Sequence, residues 1–97
     1  MDIRIQTLKF DADQKLIDYI EKKLSKLPKY YDGVSKVEVV LSLLPDHDNK
    51  NVKMIVEVPG NQVVVERHSD KFEKAIIDCV DVLKDLLVKV KEKRKEP

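Results

Sequence analysis

The chain has 97 residues, of which 38% are charged and 42% are hydrophobic, and its formal net charge is +1. This length predicts a single domain over residues 1–97, because compact domains commonly contain about 50 to 250 residues. The composition excludes a disordered chain, and no apolar run has the length of a membrane span. The N-terminal segment lacks the basic and apolar regions of a signal peptide, so we expect a cytoplasmic protein.

The first part of the chain predicts a strand followed by a helix. Isoleucines alternate with polar residues over 2–8, which is typical of a strand with one buried face. A helix is predicted from about Asp13 to Leu27, with Asp11 or Asp13 as its N-cap. Pro28 should stop this helix, because proline disfavours the helical conformation in the residue before it.

The middle of the chain predicts three further strands. Apolar residues alternate with polar ones over 36–44, over 52–58 and over about 62–67. A polar loop at 45–50 and a Pro-Gly-Asn turn at 59–61 separate these strands. Because the connections are short, we expect an antiparallel meander.

The last quarter of the chain, Ser69 to Pro97, predicts one long amphipathic helix. Ser69 or Asp70 can cap its start. Its apolar residues recur every three or four positions, at Phe72, Ile76, Cys79, Leu83, Leu86 and Val90, with Ile77, Val80 and Leu87 beside them. A stripe of this width indicates packing against a sheet rather than a coiled coil.

The predicted element order is β-α-β-β-β-α, which indicates an α+β fold. All four strands have one apolar face and both helices have one apolar stripe, so the simplest arrangement is a two-layer sandwich. A four-stranded sheet would then carry both helices on one face. The other face would be polar, of mixed charge and poor in aromatic residues, which is a poor platform for stacking RNA bases.

Positive charge is concentrated on the two helices. Residues 22–29 carry a net charge of +4 and residues 84–97 carry +3, whereas the rest of the chain is acidic. Lysines at helical spacing form two stripes, Lys15, Lys22, Lys26 and Lys29 on the first helix and Lys84, Lys91 and Lys95 on the last. If the helices lie side by side, Lys22, Lys26, Lys29, Lys84, Lys91 and Lys95 share one basic surface. Lysines near a helix C-terminus also complement the macrodipole, which leaves a purely structural reading open.

Two adjacent tyrosines, Tyr30 and Tyr31, follow the first helix. Neighbouring side chains in a connection cannot both point inward, so one of them should pack in the core and the other should be exposed. The exposed ring would either stack on a base or pack at the rim of the core. The sequence does not decide which tyrosine is exposed.

The sequence contains no recognisable catalytic or metal-binding motif. His47 falls in a loop and His68 at the end of a strand, and the single cysteine, Cys79, lies on an apolar seam. With Gly33 and Gly60 as the only glycines, there is no phosphate-binding glycine loop. We therefore expect no enzyme activity, no cofactor, no metal and no small-molecule substrate.

Three stretches of the sequence resemble the ribosome hibernation-promoting factor family, also called ribosome-associated inhibitors or sigma-54 modulation proteins. They are KLSKLPKYYDGVSKVEVVL at 23–41, VKMIVEVPGNQVVVE at 52–66 and DKFEKAIIDCVDVLKDLLVKVKEK at 70–93. The most specific combination is a lysine-rich first helix ending in Lys-Tyr-Tyr-Asp with a basic last helix. The order of elements is similar to that of this family over nearly the whole chain.

The resemblance implies a domain like those that bind double-stranded RNA, docked on the small ribosomal subunit. It implies contacts with 16S rRNA in the channel for messenger and transfer RNA, at the A and P sites, and inhibition of translation in stationary phase. By position, it assigns rRNA contacts to Lys22, Lys23, Lys26, Lys29, Lys89, Lys91 and Lys93. The stripe and the basic C-terminal tail, about 91–97, add Lys84, Arg94 and Lys95. The implied protein binds no membrane and is monomeric off the ribosome.

The sequence departs from the family in the middle of the last helix, and its net charge of +1 is modest for a protein that binds among phosphates. Asp85 and Leu86 stand where the family often has arginine followed by glutamine. The chain stops at Pro97, which resembles the short form without the extra domain that pairs ribosomes. Two other functions stay open from the residues alone: a general double-stranded RNA-binding module, and a protein-interaction domain whose lysines only increase solubility.

Overall fold

A computed structural model describes residues 1–95, with side chains described for residues 1–93. The strands are β1 (Asp2–Thr7), β2 (Lys36–Leu43), β3 (Lys50–Val58) and β4 (Asn61–Ser69), and the helices are α1 (Gln14–Leu24) and α2 (Phe72–Lys95). A short 3-10 turn, Leu27–Lys29, follows α1. The predicted β-α-β-β-β-α order is confirmed. Within the described residues, no helix is both long and apolar enough to cross a membrane.

The four strands form one mixed sheet in the order β1-β2-β3-β4. β1 is parallel to β2, with α1 in the crossover, whereas β2, β3 and β4 pair antiparallel, which confirms the meander. Ile5, Val39, Met54 and Val65 lie side by side across all four strands. Such rows give the sheet its apolar face.

Both helices cover this apolar face, as predicted for a two-layer sandwich. Ile20 and Leu24 of α1 and Leu83 and Leu87 of α2 are fully buried in the same cluster as Met54 of β3. The sandwich is held by burial of these side chains, at roughly 25 cal/mol per Å² of apolar surface. The two helices are thereby fixed next to one another.

α1 begins as predicted but ends earlier than predicted. Asp13 is the N-cap, and its Oδ1 accepts a hydrogen bond from the Leu16 amide at 2.8 Å. The helix stops at Leu24 rather than Leu27, and the Ser25 hydroxyl donates to the Lys22 carbonyl at 2.8 Å. The physical reason is Pro28, the second residue of the 3-10 turn, because proline lacks the backbone N–H that would continue α1 and disfavours the α conformation in the residue before it.

α2 begins later than predicted, at Phe72. Ser69 belongs to β4, and its hydroxyl donates a hydrogen bond to Asp70 Oδ1 at 3.0 Å. Because α2 begins at Phe72, the residue at the cap position is Lys71 and not Ser69 or Asp70. The hydrogen bond from Ser69 is the main cause of the lowered pKa of Asp70.

The apolar stripe of α2 is narrower than predicted, because Ile77 is 42% exposed and not buried. The predicted end at Pro97 lies outside the described residues.

The open face of the sheet is less polar than predicted. Val40, Ile55 and Val64 lie on it among charged residues, and Val64 is 52% exposed. β4 has three consecutive valines at 63–65, so the middle one, Val64, is apolar although it faces away from the core. Without aromatic rings, this face remains a poor platform for stacking bases.

Candidate nucleic-acid interface

α1 and α2 lie side by side and run in the same direction. Near their N-terminal ends, the rings of Phe10 and Phe72 stack with centroids 5.2 Å apart. Tyr19 of α1 lies near the first turn of α2, because it lines the same pocket as Phe72 and Glu73. Burial and, to a smaller extent, the negative charge of Glu73 raise the pKa of Tyr19. Further along, the Lys84 ammonium of α2 lies 5.6 Å from the centre of the Tyr30 ring, just past the end of α1. The two lysine stripes therefore border the same junction.

The lysines of α1 lie on the side of the helix that carries Tyr19. Lys22, Lys23 and Lys26 follow Tyr19 by three, four and seven residues, which are the spacings of one helical face. The Lys23 ammonium lies 5.4 Å from the centre of the Tyr19 ring, within cation–π range. Lys22 and Lys26 are exposed, so their charged groups face solvent.

A cleft between the 3-10 turn that follows α1 and the C-terminal half of α2 joins the two stripes. Its volume is about 300 Å³, and it is lined by Lys29, Tyr30, Val88, Lys91 and Glu92. We call it the Tyr30 cleft. Because it brings Lys29 and Lys91 together, the expected shared surface is present for these two residues. Together with Lys22, Lys23, Lys26 and Lys84, they define what we call the helical basic surface.

The structure also shows which of the two adjacent tyrosines is exposed. Tyr31 is buried, with 8% of its surface exposed, whereas Tyr30 is half-buried at the rim. The Tyr31 ring lies so close to Gly33 that a Cβ atom there would be 2.5 Å from it, so only glycine leaves room for this ring. Of these two adjacent tyrosines, Tyr30 is consequently the one whose ring is available to a ligand.

Two of the candidate lysines lie on the opposite flank of α2. Lys89 and Lys93 line a shallow pocket of about 390 Å³ with Leu86, Val90 and residues of β4. Lys93 also lines a pocket of about 320 Å³ next to the β3–β4 turn. The candidate lysines of α2 whose side chains are described, Lys84, Lys89, Lys91 and Lys93, therefore form two groups rather than one surface. The side chains of Arg94 and Lys95 lie outside the described residues, so the expected position of Lys95 on the shared surface is not described.

Most of the candidate lysines have no acidic partner. Among the described side chains, Lys84 is the only one of them in an ion pair, at 3.8 Å from Asp81 Oδ1. Asp78, Asp81 and Asp85 are exposed and share the outer side of α2, three and four residues apart. This acidic ridge separates the two lysine flanks. The charges of the helical basic surface are thus largely free to bind an external anion.

Residues suited to catalysis or metal binding do not converge. Within residues 1–95, no group of three histidine, cysteine, aspartate or glutamate side chains is arranged to hold a metal ion. Cys79 is fully buried, and its thiol donates to the Val52 carbonyl at 3.6 Å. Burial raises the pKa of the Cys79 thiol to about 11, an effect that the nearby Arg67 charge opposes.

We expect the Cys79 thiol to be unreactive in the folded protein. With a pKa of about 11, less than about one thiol in a thousand is ionised near neutral pH, and only the thiolate attacks disulfide reagents. Labelling with an aromatic disulfide reagent should therefore be slow in buffer and complete within minutes in denaturant. Equal rates under the two conditions would contradict the buried position.

The fold and the helical basic surface define a class: a small α+β domain whose lysine-rich surface is formed by the helices and the turn after α1. The chain belongs to the Sigma 54 modulation protein / S30EA ribosomal protein family, whose model matches residues 3–95. The family resemblance stated from the sequence is thereby confirmed.

The similar proteins carry the names expected for this family. The ribosome hibernation promoting factor of Azotobacter vinelandii is 28% identical over 96 residues, which cover 99% of this chain and 88% of that protein. The factor of Acidithiobacillus ferridurans is 35% identical over 69 residues, covering 70% and 88%. The ribosome hibernation promotion factor of Deinococcus radiodurans is longer: a 30% identical match covers 84% of this chain but 44% of that protein.

Solved structures have the same architecture. A ribosomal subunit interface protein from Coxiella burnetii superposes with a TM-score of 0.86 at 24% identity, over 95% of this chain and 99% of the other. The N-terminal domain of Protein Y from Thermus thermophilus gives 0.81 at 31% identity, over 93% and 99%. The fold predicted from the sequence is thereby confirmed.

Proposed function

We propose that this protein is a ribosome hibernation factor in which residues 1–97 act as a single ribosome-binding domain. It binds the small ribosomal subunit in the cytoplasm, contacts 16S rRNA and blocks the channel for messenger and transfer RNA in stationary phase. The observation that carries this proposal is the helical basic surface, whose lysines are nearly free of acidic partners. The names of the similar proteins support it.

The lysines of the helical basic surface supply the affinity. Each ammonium group binds a phosphate oxygen as a compact, mobile point charge, so Lys22, Lys26 and Lys29 can adapt to an irregular RNA backbone. Phosphate contacts position a protein without reading base sequence, and release of counterions drives binding. The surface therefore suits folded rRNA, where phosphates of several strands are close together.

The second flank of α2 enlarges the contact. Lys89 and Lys93 face away from the Tyr30 cleft, towards the β3–β4 turn, and we assign them to a second rRNA segment. Arg94 and Lys95 of the basic C-terminal tail are proposed to add further rRNA contacts. α2 has 24 residues and is therefore about 36 Å long. A helix with cations on two flanks can lie between two RNA strands, its acidic ridge facing solvent.

Shape accounts for inhibition. The Cα positions span 46 × 24 × 18 Å, so the domain is elongated. A body of this shape that is held lengthwise in an RNA-lined channel excludes other RNA by occupying its volume. No catalytic step, cofactor or metal is needed, and one copy suffices, so we propose a monomer off the ribosome.

Binding to purified small subunits should depend steeply on salt. If the six lysines of the helical basic surface each contact one phosphate, raising monovalent salt from about 50 to 200 mM should weaken binding on the order of 10³-fold. Co-sedimentation over a salt series measures this slope. A plain RNA duplex is the matched competitor, and it should displace the protein far less well than transfer RNA does. A flat salt response, or equal displacement by the duplex, would contradict the proposal.

A further inference from the structure

The Tyr30 cleft differs from the rest of the helical basic surface, because its lining combines an aromatic ring and an apolar side chain with two lysines. Val88, which is 39% exposed, forms part of the lining beside the Tyr30 ring. Phosphate contacts alone would not need either side chain. A nucleotide would use all of them, because its base is an aromatic plate and its phosphate is an anion.

The ring of Tyr30 is held in place before any ligand binds. The Tyr30 amide donates to the Leu27 carbonyl at 2.9 Å, which fixes the backbone at the end of the 3-10 turn. The ring packs against the hydrophobic core as a partly buried side chain. A stacking partner would therefore lose little side-chain freedom, which favours binding.

The lysine that lies over the Tyr30 ring, Lys84, is easily displaced. The Lys84 ammonium is 5.6 Å from the ring centre, near the outer limit of a cation–π contact. Its side chain is 41% exposed, and its ion pair with Asp81 is long, at 3.8 Å. Base stacking is stronger than an exposed cation–π contact, so a base can replace Lys84 on the ring. The freed ammonium then remains within reach of RNA phosphates.

The charges of the cleft favour a nucleotide over a free phosphate. Lys29 and Lys91 attract an anion, but Glu92 in the same lining repels it. A base that stacks on Tyr30 adds the contact that a bare phosphate lacks, and it keeps the phosphate at the lysines. The volume of about 300 Å³ lies at the lower end of small-ligand sites and accommodates one nucleotide.

We propose that the Tyr30 cleft binds a single unpaired RNA nucleotide, with its base stacked on Tyr30 and Val88 and its phosphate between Lys29 and Lys91. This proposal deepens the proposed function and rests on it for the source of the RNA. It adds recognition of one splayed-out base to contacts that otherwise carry no base information.

Tyrosine fluorescence provides a direct test, because the chain has three tyrosines and no tryptophan. Titration with short single-stranded oligoadenylate at low salt should quench this fluorescence. In Tyr30→Phe the affinity for the oligonucleotide should remain, because phenylalanine can still stack on a base. Most of the quenching should vanish, because the ring that stacks on the base no longer contributes tyrosine fluorescence. In Tyr19→Phe the quenching should persist. Unchanged quenching in Tyr30→Phe would overturn the proposal.

Affinity gives the second readout. Tyr30→Leu, with its fold checked by circular dichroism, should bind oligoadenylate about tenfold more weakly, the loss typical of one base stack. Tyr19→Leu is the matched control, because Tyr19 is also half-buried under a lysine but lies beside Glu73. An abasic oligonucleotide of equal length should bind wild type and Tyr30→Leu alike. Equal loss in both leucine variants would overturn the proposal.

Failure of this proposal can be told apart from failure of the proposed function. If wild type sediments with small subunits but the Tyr30 variants behave like wild type in every assay, the nucleotide site is wrong and the ribosome role stands. If the Tyr30 effects on oligoadenylate appear but wild type does not sediment with small subunits, the nucleotide site stands and the ribosome role is wrong.

Discussion

Charge reversal at three lysines of the helical basic surface is expected to abolish binding to the small ribosomal subunit. In the Lys22→Glu, Lys26→Glu, Lys91→Glu variant, three phosphate contacts are lost and three repulsive carboxylates replace them. Each lost contact should reduce the salt slope by about one, and affinity at 0.1 M salt should fall on the order of 10³-fold. Co-sedimentation with purified small subunits measures both quantities.

The matched control moves the same charge change to the other end of the molecule. Lys9, Lys71 and Lys74 are exposed and lie near the start of α2, and Lys74 is separated from Lys91 by about 25 Å of helix. The triple change to glutamate here gives the same net charge, and negative charge near a helix N-terminus is favourable. We expect near wild-type binding. Equal loss in the two variants would mean that net charge alone drives binding.

The fold could be predicted almost completely because its signals are local. The apolar positions Val37, Val39 and Leu41 recur every second residue, and all three are buried. Apart from the exposed Ile77 and the partly apolar open face of the sheet, the errors occurred at element ends, where one contact decides the outcome. α1 stopped at Leu24 because of Pro28, and the cap position of α2 went to Lys71 because β4 continued to Ser69.

The candidate site could be predicted only in part. Periodicity placed Lys84 and Lys91 on one flank, and the structure agrees, but no local pattern shows how two helices are rotated against each other. The position of Tyr30 depends on the 3-10 turn and on the space that Gly33 leaves for Tyr31. The contact between Lys23 and the Tyr19 ring was missed, although the four-residue spacing of these two residues was visible in the sequence.

The interface also depends on the core beneath it. The lysines of α2 keep their positions because fully buried side chains of the same helix, such as Leu83 and Leu87, pack in the core between α2 and the sheet. The neighbouring Lys84 covers Tyr30, so the packing of Leu83 and the geometry of the cleft are set by the same turn of α2. Loosening this turn should affect stability first and binding second.

Leu83→Ala is accordingly expected to lower the free energy of unfolding by about 2–5 kcal/mol. The side chain is fully buried, so its removal loses apolar burial and leaves a cavity between α2 and the sheet. A domain of this size has a total stability of roughly 5–15 kcal/mol, so the loss is a large fraction of it. Since about 1 kcal/mol corresponds to a shift of about 4–8 °C, the melting temperature should fall by at least about 8 °C. Thermal and urea unfolding followed by circular dichroism measure these changes.

Leu43→Ala is the matched control for this substitution, because it makes the same chemical change at a side chain that is 46% exposed. Leu43 ends β2 and leaves little buried surface to lose, so the free energy of unfolding should change by no more than about 0.5 kcal/mol. If the two variants lost equal stability, the packing of α2 on the sheet would not be what holds the domain together. If Leu83→Ala were neutral, the turn that carries Lys84 would not be anchored by the core, and the fixed geometry inferred for the Tyr30 cleft would fail with it.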